Sequence, residues 1–188
     1  MSDCKNDLSI CNKGPRIWQI PKGDNRQRLV CPDCNYIHYD NPKVVCGAVT
    51  TWEDQYLLCK RAIQPRKGFW TITSGFLELN ESPQEGAMRE SLEEAYAKIE
   101  IDQLLATYHI KRISFVQLIF RAKLLDPNIK AGDESLEVKL FSWDEIPWQD
   151  LAYPTIEWAL KAHHSVKNKK EFAPFTNPAG LNEAVSFK

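Results

Sequence analysis

The stretch from Gly75 to Glu94 constrains this chain more than any other segment. It carries six carboxylates (Glu78, Glu81, Glu85, Glu90, Glu93 and Glu94) against one base, Arg89. Ser82 as N-cap, Pro83 at the first helical position and Glu85 closing a capping box predict a helix from Pro83 to about Ala95. In that register Glu90, Glu93 and Glu94 share one face, while Met88, Leu92 and Ala95 fall opposite and are expected to pack on a sheet. Most charged helix faces are simply solvated. Here, however, like charges three and four residues apart repel, a cost with no structural return unless something positive binds. Clustered hard oxygen ligands suit Mg²⁺ or Mn²⁺, which keep several waters and bridge to substrate phosphates. Arg89, one turn before Glu93, is placed to hold that carboxylate.

The rest of the chain divides into three textures. Residues 1–40 hold four of the six cysteines and no amphipathic period, so they need a staple to order. Residues 41–165 read as a mixed α/β domain. Strands are expected at Lys43–Thr51, Tyr56–Arg61, Phe115–Leu125 and Glu137–Trp143, with a short one at Trp70–Thr73 and a second helix from Thr155 to His164. Residues 166–188, with Pro174, Pro178 and Gly180, read as an extended or partly disordered C-terminal arm. With 24 Lys and Arg against 25 Asp and Glu, the net charge of −1 argues against a nucleic-acid or anionic-membrane binder. Apolar runs such as Val44 to Val49 are far too short to span a bilayer. The N-terminus lacks a secretory layout, so a cytoplasmic, reducing setting is expected, with cysteines as thiols or metal ligands.

Gly75, Glu81, Arg89, Glu90, Glu93 and Glu94 together resemble the Nudix box, G-x5-E-x7-R-E-U-x-E-E-x-G-U, where U is a bulky aliphatic residue. The flanks are similar too: Leu57 to Arg61, then Phe69-Trp70-Thr71 entering the box, and later Asp144-Glu145-Ile146-Pro147. The resemblance implies an α/β/α sandwich with a mixed sheet. It also implies a Mg²⁺- or Mn²⁺-dependent pyrophosphohydrolase that cleaves a nucleoside diphosphate linked to another moiety. On that reading Glu90, Glu93 and Glu94 hold the metal and Arg89 supports them. The general base is a helix carboxylate, Glu93 foremost, or a loop carboxylate, Glu134 or Glu137. Three positions depart from the box: Ser91 for an aliphatic residue, Tyr96 for the helix-ending glycine, and Ala97. None removes a carboxylate. If Tyr96 keeps a left-handed backbone the cost is about 1–2 kcal/mol.

Cys31-Pro32-Asp33-Cys34 is half of a zinc ribbon, because C-x2-C on a tight turn places two thiolates on one tetrahedral ion. Cys4 and Cys11 are expected to supply the remaining ligands around a longer loop, with His38 as a substitute. Such a closed Zn²⁺ site is structural. Cys46 and Cys59 sit in apolar strands and read as small buried hydrophobes. A ribbon before the box is similar to the zinc-ribbon Nudix proteins, including ADP-ribose and FAD pyrophosphatases and members that cleave NADH. In those the ribbon is structural and dimer-forming, so a homodimer acting on a nucleotide is expected. The alternative is a Nudix-fold sensor that binds ADP-ribose or a dinucleotide without cutting it; Tyr96 speaks for it and the intact carboxylates against it. Phe69, Trp70 and Phe76 could each stack a base or simply fill the core.

Overall fold

The computed structural model describes residues 14–180, and the chain divides after Asn41 into two compact units. The first holds an antiparallel sheet of β1 (Ile17–Gln19), β2 (Arg28–Val30) and β3 (Ile37–His38), in that order. Cys31 follows β2 directly and opens a tight turn in which the Asn35 N–H donates to the Cys31 carbonyl at 2.8 Å. Asn35 takes a left-handed φ of 59°, which Asn tolerates better than most residues. Arg16 clamps Asp33 through two hydrogen bonds of 2.8 Å, bracing the same turn.

The second unit is built on a seven-stranded mixed sheet. Its strands are β4 (Lys43–Trp52), β5 (Gln55–Arg61), β6 (Trp70–Thr71), β7 (Thr73–Phe76), β8 (Ile99–Ile110), β9 (Phe115–Leu124) and β10 (Ser135–Phe141). The spine runs β10-β5-β4-β9-β8, with β6 on β5 and β7 on β4, and only the β4–β9 pair is parallel. Side chains alternate across a strand, so the sheet splits its apolar residues between two cores. Cys46, Ala48, Leu57 and Cys59 join Ala87 and Ala95 of α1 (Pro83–Ala95). Val49, Tyr56 and Leu58 join Ile156, Ala159 and Leu160 of α2 (Pro154–Val166) on the other face. The result is the expected α/β/α layering. Both Cys46 and Cys59 are buried in it.

Two elements differ from expectation. The long strand β8 is absent from the sequence-based reading, because bulges between Ile101 and Gln103 and between Leu104 and Ala106 break its two-residue period. The C-terminal arm is docked as far as it is described. Phe175 donates to the Leu105 carbonyl and accepts from the Thr107 N–H, both at 2.9 Å, while the Asn177 amide pairs with both backbone groups of His109. The free edge of β8 is thereby covered. No helix among the described residues is long and apolar enough to cross a membrane.

Candidate active site

Helix α1 begins as expected: the Glu85 N–H donates to Ser82 Oγ, and the Ser82 N–H returns a 2.7 Å bond to the Glu85 carboxylate. At its other end Tyr96 takes the left-handed conformation, φ 50°, that the box glycine would supply. Its N–H reaches the Leu92 carbonyl and the Ala97 N–H reaches that of Ser91, so the helix closes without glycine.

The face that α1 buries includes Ala95 of the expected stripe but not Met88 or Leu92. Ala87, Ser91, Glu94 and Ala95 are buried, while Met88 and Leu92 remain 38% and 48% exposed. Small residues set this register. A Cβ on Gly86 would lie 2.5 Å from Cys46 Sγ, so the helix sits too close to the sheet for bulky side chains there. Ser91, where the box prefers an aliphatic residue, bonds Thr73 of β7 at 2.7 Å and the Ala87 carbonyl at 2.9 Å. Its hydroxyl is satisfied and ties helix to strand. The carboxylates consequently stand at the margin of the buried face and border the cleft.

Arg89 organises them. Its guanidinium grips Glu81 through Nε and Nη2 at 3.0 and 2.8 Å, Glu90 at 2.7 Å and Glu93 at 3.0 Å, and donates to the Phe76 carbonyl. Glu81 is held well below the usual carboxylate range by that grip. Glu90 is packed against the backbone of Gly75, where a Cβ would fall 2.1–2.3 Å from its carboxyl group. Any other residue there would expel it. Glu94 is only 7% exposed and accepts one bond, 2.9 Å from the Ser74 N–H. Burial raises Glu90, and pushes Glu94 up to about 8, with the Glu90 charge adding to the latter.

Among the described residues no three His, Cys, Asp or Glu side chains converge on a common centre. The chemistry of the donors nevertheless fits a divalent cation. Glu94 is buried with no ion pair among the described residues, and the half-buried Glu90 shares the single Arg89 guanidinium with Glu81 and Glu93, so a cation would supply charge that the site is short of.

The helix borders a cleft of about 1080 Å³. Asp133 and Glu134, on the loop before β10, also line it. This loop is bolted to the helix end: the Lys130 and Gly132 N–H groups both donate at 3.0 Å, to the Ala95 and Glu94 carbonyls. Gly132 packs so tightly that a Cβ would lie 1.8 Å from the Glu93 carbonyl oxygen. Glu137 lies elsewhere. It is on β10, opposite Lys60 and 3.9 Å from its ammonium group, and does not line the cleft. Of the aromatic candidates only Phe76 borders the cleft, edge-on to Phe115. Trp70 is buried against Phe141 and Phe69 stacks beneath Arg66. The cleft also takes in Arg61, Gln117, Tyr153 and Thr155. No motif could have flagged these four as a set, because they come from distant stretches brought together only by the fold.

Of the expected zinc ligands, Cys31 is buried as a thiol, Cys34 on the same turn is half-buried and disulfide-bonded where a thiol or metal ligand was expected, His38 is exposed on β3, and Cys4 and Cys11 lie outside the described residues.

A family model described as a NUDIX domain matches residues 41–159, and one described as Nudix N-terminal, a zinc ribbon, matches residues 10–40. A crystal structure of a NUDIX hydrolase from Nitrosomonas europaea is 47% identical with a TM-score of 0.81, covering 87% of this chain and 94% of that one. An ADP-ribose pyrophosphatase of Methanocaldococcus jannaschii is 28% identical over 116 residues, 60% of this chain and 69% of that protein. A MutT-like protein of Streptomyces ambofaciens is 32% identical over 102 residues, 54% of this chain and 64% of that protein. The match thus spans just under two thirds of the Streptomyces relative.

Proposed function

The chain belongs to the Nudix hydrolase family, carrying that family's N-terminal zinc-ribbon region ahead of the catalytic-type domain, and on that premise we propose that it is a divalent-cation-dependent pyrophosphohydrolase. Its substrate is a nucleoside diphosphate linked to a second moiety, of the ADP-ribose, FAD or NADH type. One observation carries the proposal: the buried Glu94 and half-buried Glu90 of α1 border a cleft of about 1080 Å³ that Glu134 also lines. That volume suits a dinucleotide-sized ligand.

Glu90, Glu93 and Glu94 would hold the cation, Mg²⁺ or Mn²⁺. When bound, it neutralises charge developing on the pyrophosphate oxygens and lowers the pKa of a water in its shell. The chain's own residues do the rest. Arg89 fixes the carboxylates of Glu90 and Glu93, and the Ser74 N–H fixes that of Glu94. Glu134 is favoured as general base over Glu137, since its carboxylate borders the cleft and the loop that carries it is anchored to the helix. Glu93 is the remaining candidate. The left-handed Tyr96 supports catalysis over mere sensing, because the helix end that positions Glu93 and Glu94 is preserved without its glycine. In the ribbon, Cys31 and, once its disulfide is reduced, Cys34 share a turn that would suit a structural zinc completed by Cys4 and Cys11.

The test is a substrate panel: ADP-ribose, FAD, NADH, dinucleoside polyphosphates and nucleoside triphosphates, each with Mg²⁺ and Mn²⁺, products resolved by chromatography. Cleavage of one of the first three to a nucleoside monophosphate is expected. Cleavage of triphosphates alone would overturn the substrate class, and no cleavage of any would favour the sensor.

A further inference from the structure

Two polar atoms in the cleft wall are buried without a hydrogen-bond partner among the described residues: Gln117 Oε1 and Thr155 Oγ1. Thr155 is 2% exposed. Gln117 lies on β9 and Thr155 in the first turn of α2, and both line the same cavity as the carboxylate helix. Buried polar groups are almost always paired, and an unmet one is destabilising. Around them the wall is apolar: Ile110 and Phe115 come from paired positions of β8 and β9, and Ile156 follows Thr155 on α2. Phe76 meets Phe115 edge to face at 5.3 Å.

We propose that Gln117 and Thr155 form a nucleobase-reading subsite, an apolar and aromatic slot whose two polar atoms read a hydrogen-bond donor and an adjacent acceptor on one base edge. The amide oxygen of Gln117 accepts from a ring or amino N–H, and the Thr155 hydroxyl donates to the neighbouring nitrogen or oxygen. The carboxylates and the base slot then line one cleft, as a nucleoside diphosphate requires. The inference rests on the nucleotide reading of the cleft given above, not on turnover.

The test separates the two. AMP, IMP and ribose 5-phosphate are titrated calorimetrically into the full chain, wild type and the variants Thr155→Val and Gln117→Leu, in EDTA. Wild type should bind AMP or IMP at least about tenfold more tightly than ribose 5-phosphate. It should also prefer one of the two, since adenine and hypoxanthine present donor and acceptor in opposite order. Each variant should lose about tenfold in nucleotide affinity, with ribose 5-phosphate unaffected, because one of the two base contacts is gone. Where a pyrophosphate substrate is cleaved, KM should rise by a similar factor and kcat stay within about twofold. Thr155→Val should leave Tm unchanged or raised, because an unpaired buried hydroxyl becomes an apolar isostere. Equal affinity for AMP, IMP and ribose 5-phosphate would overturn the subsite. So would a lowered Tm in Thr155→Val with nucleotide affinity unchanged, which would make the hydroxyl structural. If nucleotides bind as described while no pyrophosphate is cleaved, the subsite stands and the hydrolase proposal falls. If cleavage is normal and both variants keep wild-type KM, the reverse holds.

Discussion

Glu94 shows how strongly a single position is set by its surroundings. Its carboxyl is 7% exposed, has one backbone donor and faces the negative Glu90. Burial pushes its pKa up to about 8 from an ordinary 4.5. The folded chain therefore keeps this proton over a range in which the unfolded chain has lost it, and the metal-free protein is destabilised as pH rises from about 4.5 to 8. In EDTA, the urea midpoint of the wild type should fall between pH 5 and pH 8.5. Glu94→Gln, which cannot ionise, should flatten that fall, and saturating Mg²⁺ should do so in the wild type. A variant with the wild-type pH slope would show that Glu94 is not the group responsible. At this scale the sequence was most legible where a spacing rule applied: the six box residues are brought to β7, the loop that follows it and one helix. It offered Glu134 only as one of several candidate bases and was silent on Gln117 and Thr155, whose placement beside the box depends on contacts between distant parts of the chain.

Helix α1 and the loop that ends at Glu134 behave as one piece. The last carbonyls of α1 are satisfied by Lys130 and Gly132 N–H groups, and the Lys130 ammonium lies 5.4 Å from the Tyr96 ring centre. The missing side chain at Gly132 permits this approach. Gly132→Ala would drive a methyl group into the Glu93 carbonyl, and overpacking of this kind costs about 1–3 kcal/mol. The expected outcome is a Tm lower by several degrees and a kcat at least about tenfold lower, with KM changed much less. An unchanged kcat would remove Glu134 from the chemistry. Conversely, Tyr96→Gly should relieve left-handed strain and stabilise the protein by about 1 kcal/mol or less, part of the gain being lost to the freer unfolded chain. Thermal denaturation of that variant checks the sign. Element boundaries were legible where a cap marks them, as at Ser82, and illegible in β8, where bulges interrupt the alternation. The buried face of α1 misled for a related reason. Hydrophobicity pointed to Met88 and Leu92, whereas the close approach at Gly86 selects small side chains instead.

At the scale of the whole molecule, the ribbon region and the Nudix domain are two compact units, and both hydrophobic clusters lie in the second. A ribbon of about forty residues is too small to order on apolar burial alone, so its metal binding is folding energy. Cys31→Ser should release zinc, loosen the first unit and lower Tm or dimer content, while kcat stays within several-fold of wild type. Zinc stoichiometry beside steady-state kinetics reads both effects, and loss of turnover with the second unit still folded would tie the ribbon to the active site. The docked arm covering β8 was legible from sequence only as an extended or partly disordered arm, because its partner is the backbone of a bulged strand rather than an apolar pattern. If the carboxylates of α1 recruit a divalent cation for pyrophosphate cleavage, the initial rate of ADP-ribose, FAD and NADH cleavage by metal-stripped protein must follow the Mg²⁺ added back. Negligible turnover in EDTA, recovery with Mg²⁺ on at least one of these substrates, and at least about a hundredfold loss in folded Glu94→Gln is the predicted result. Cleavage at the full rate in EDTA, or in Glu94→Gln, would contradict it.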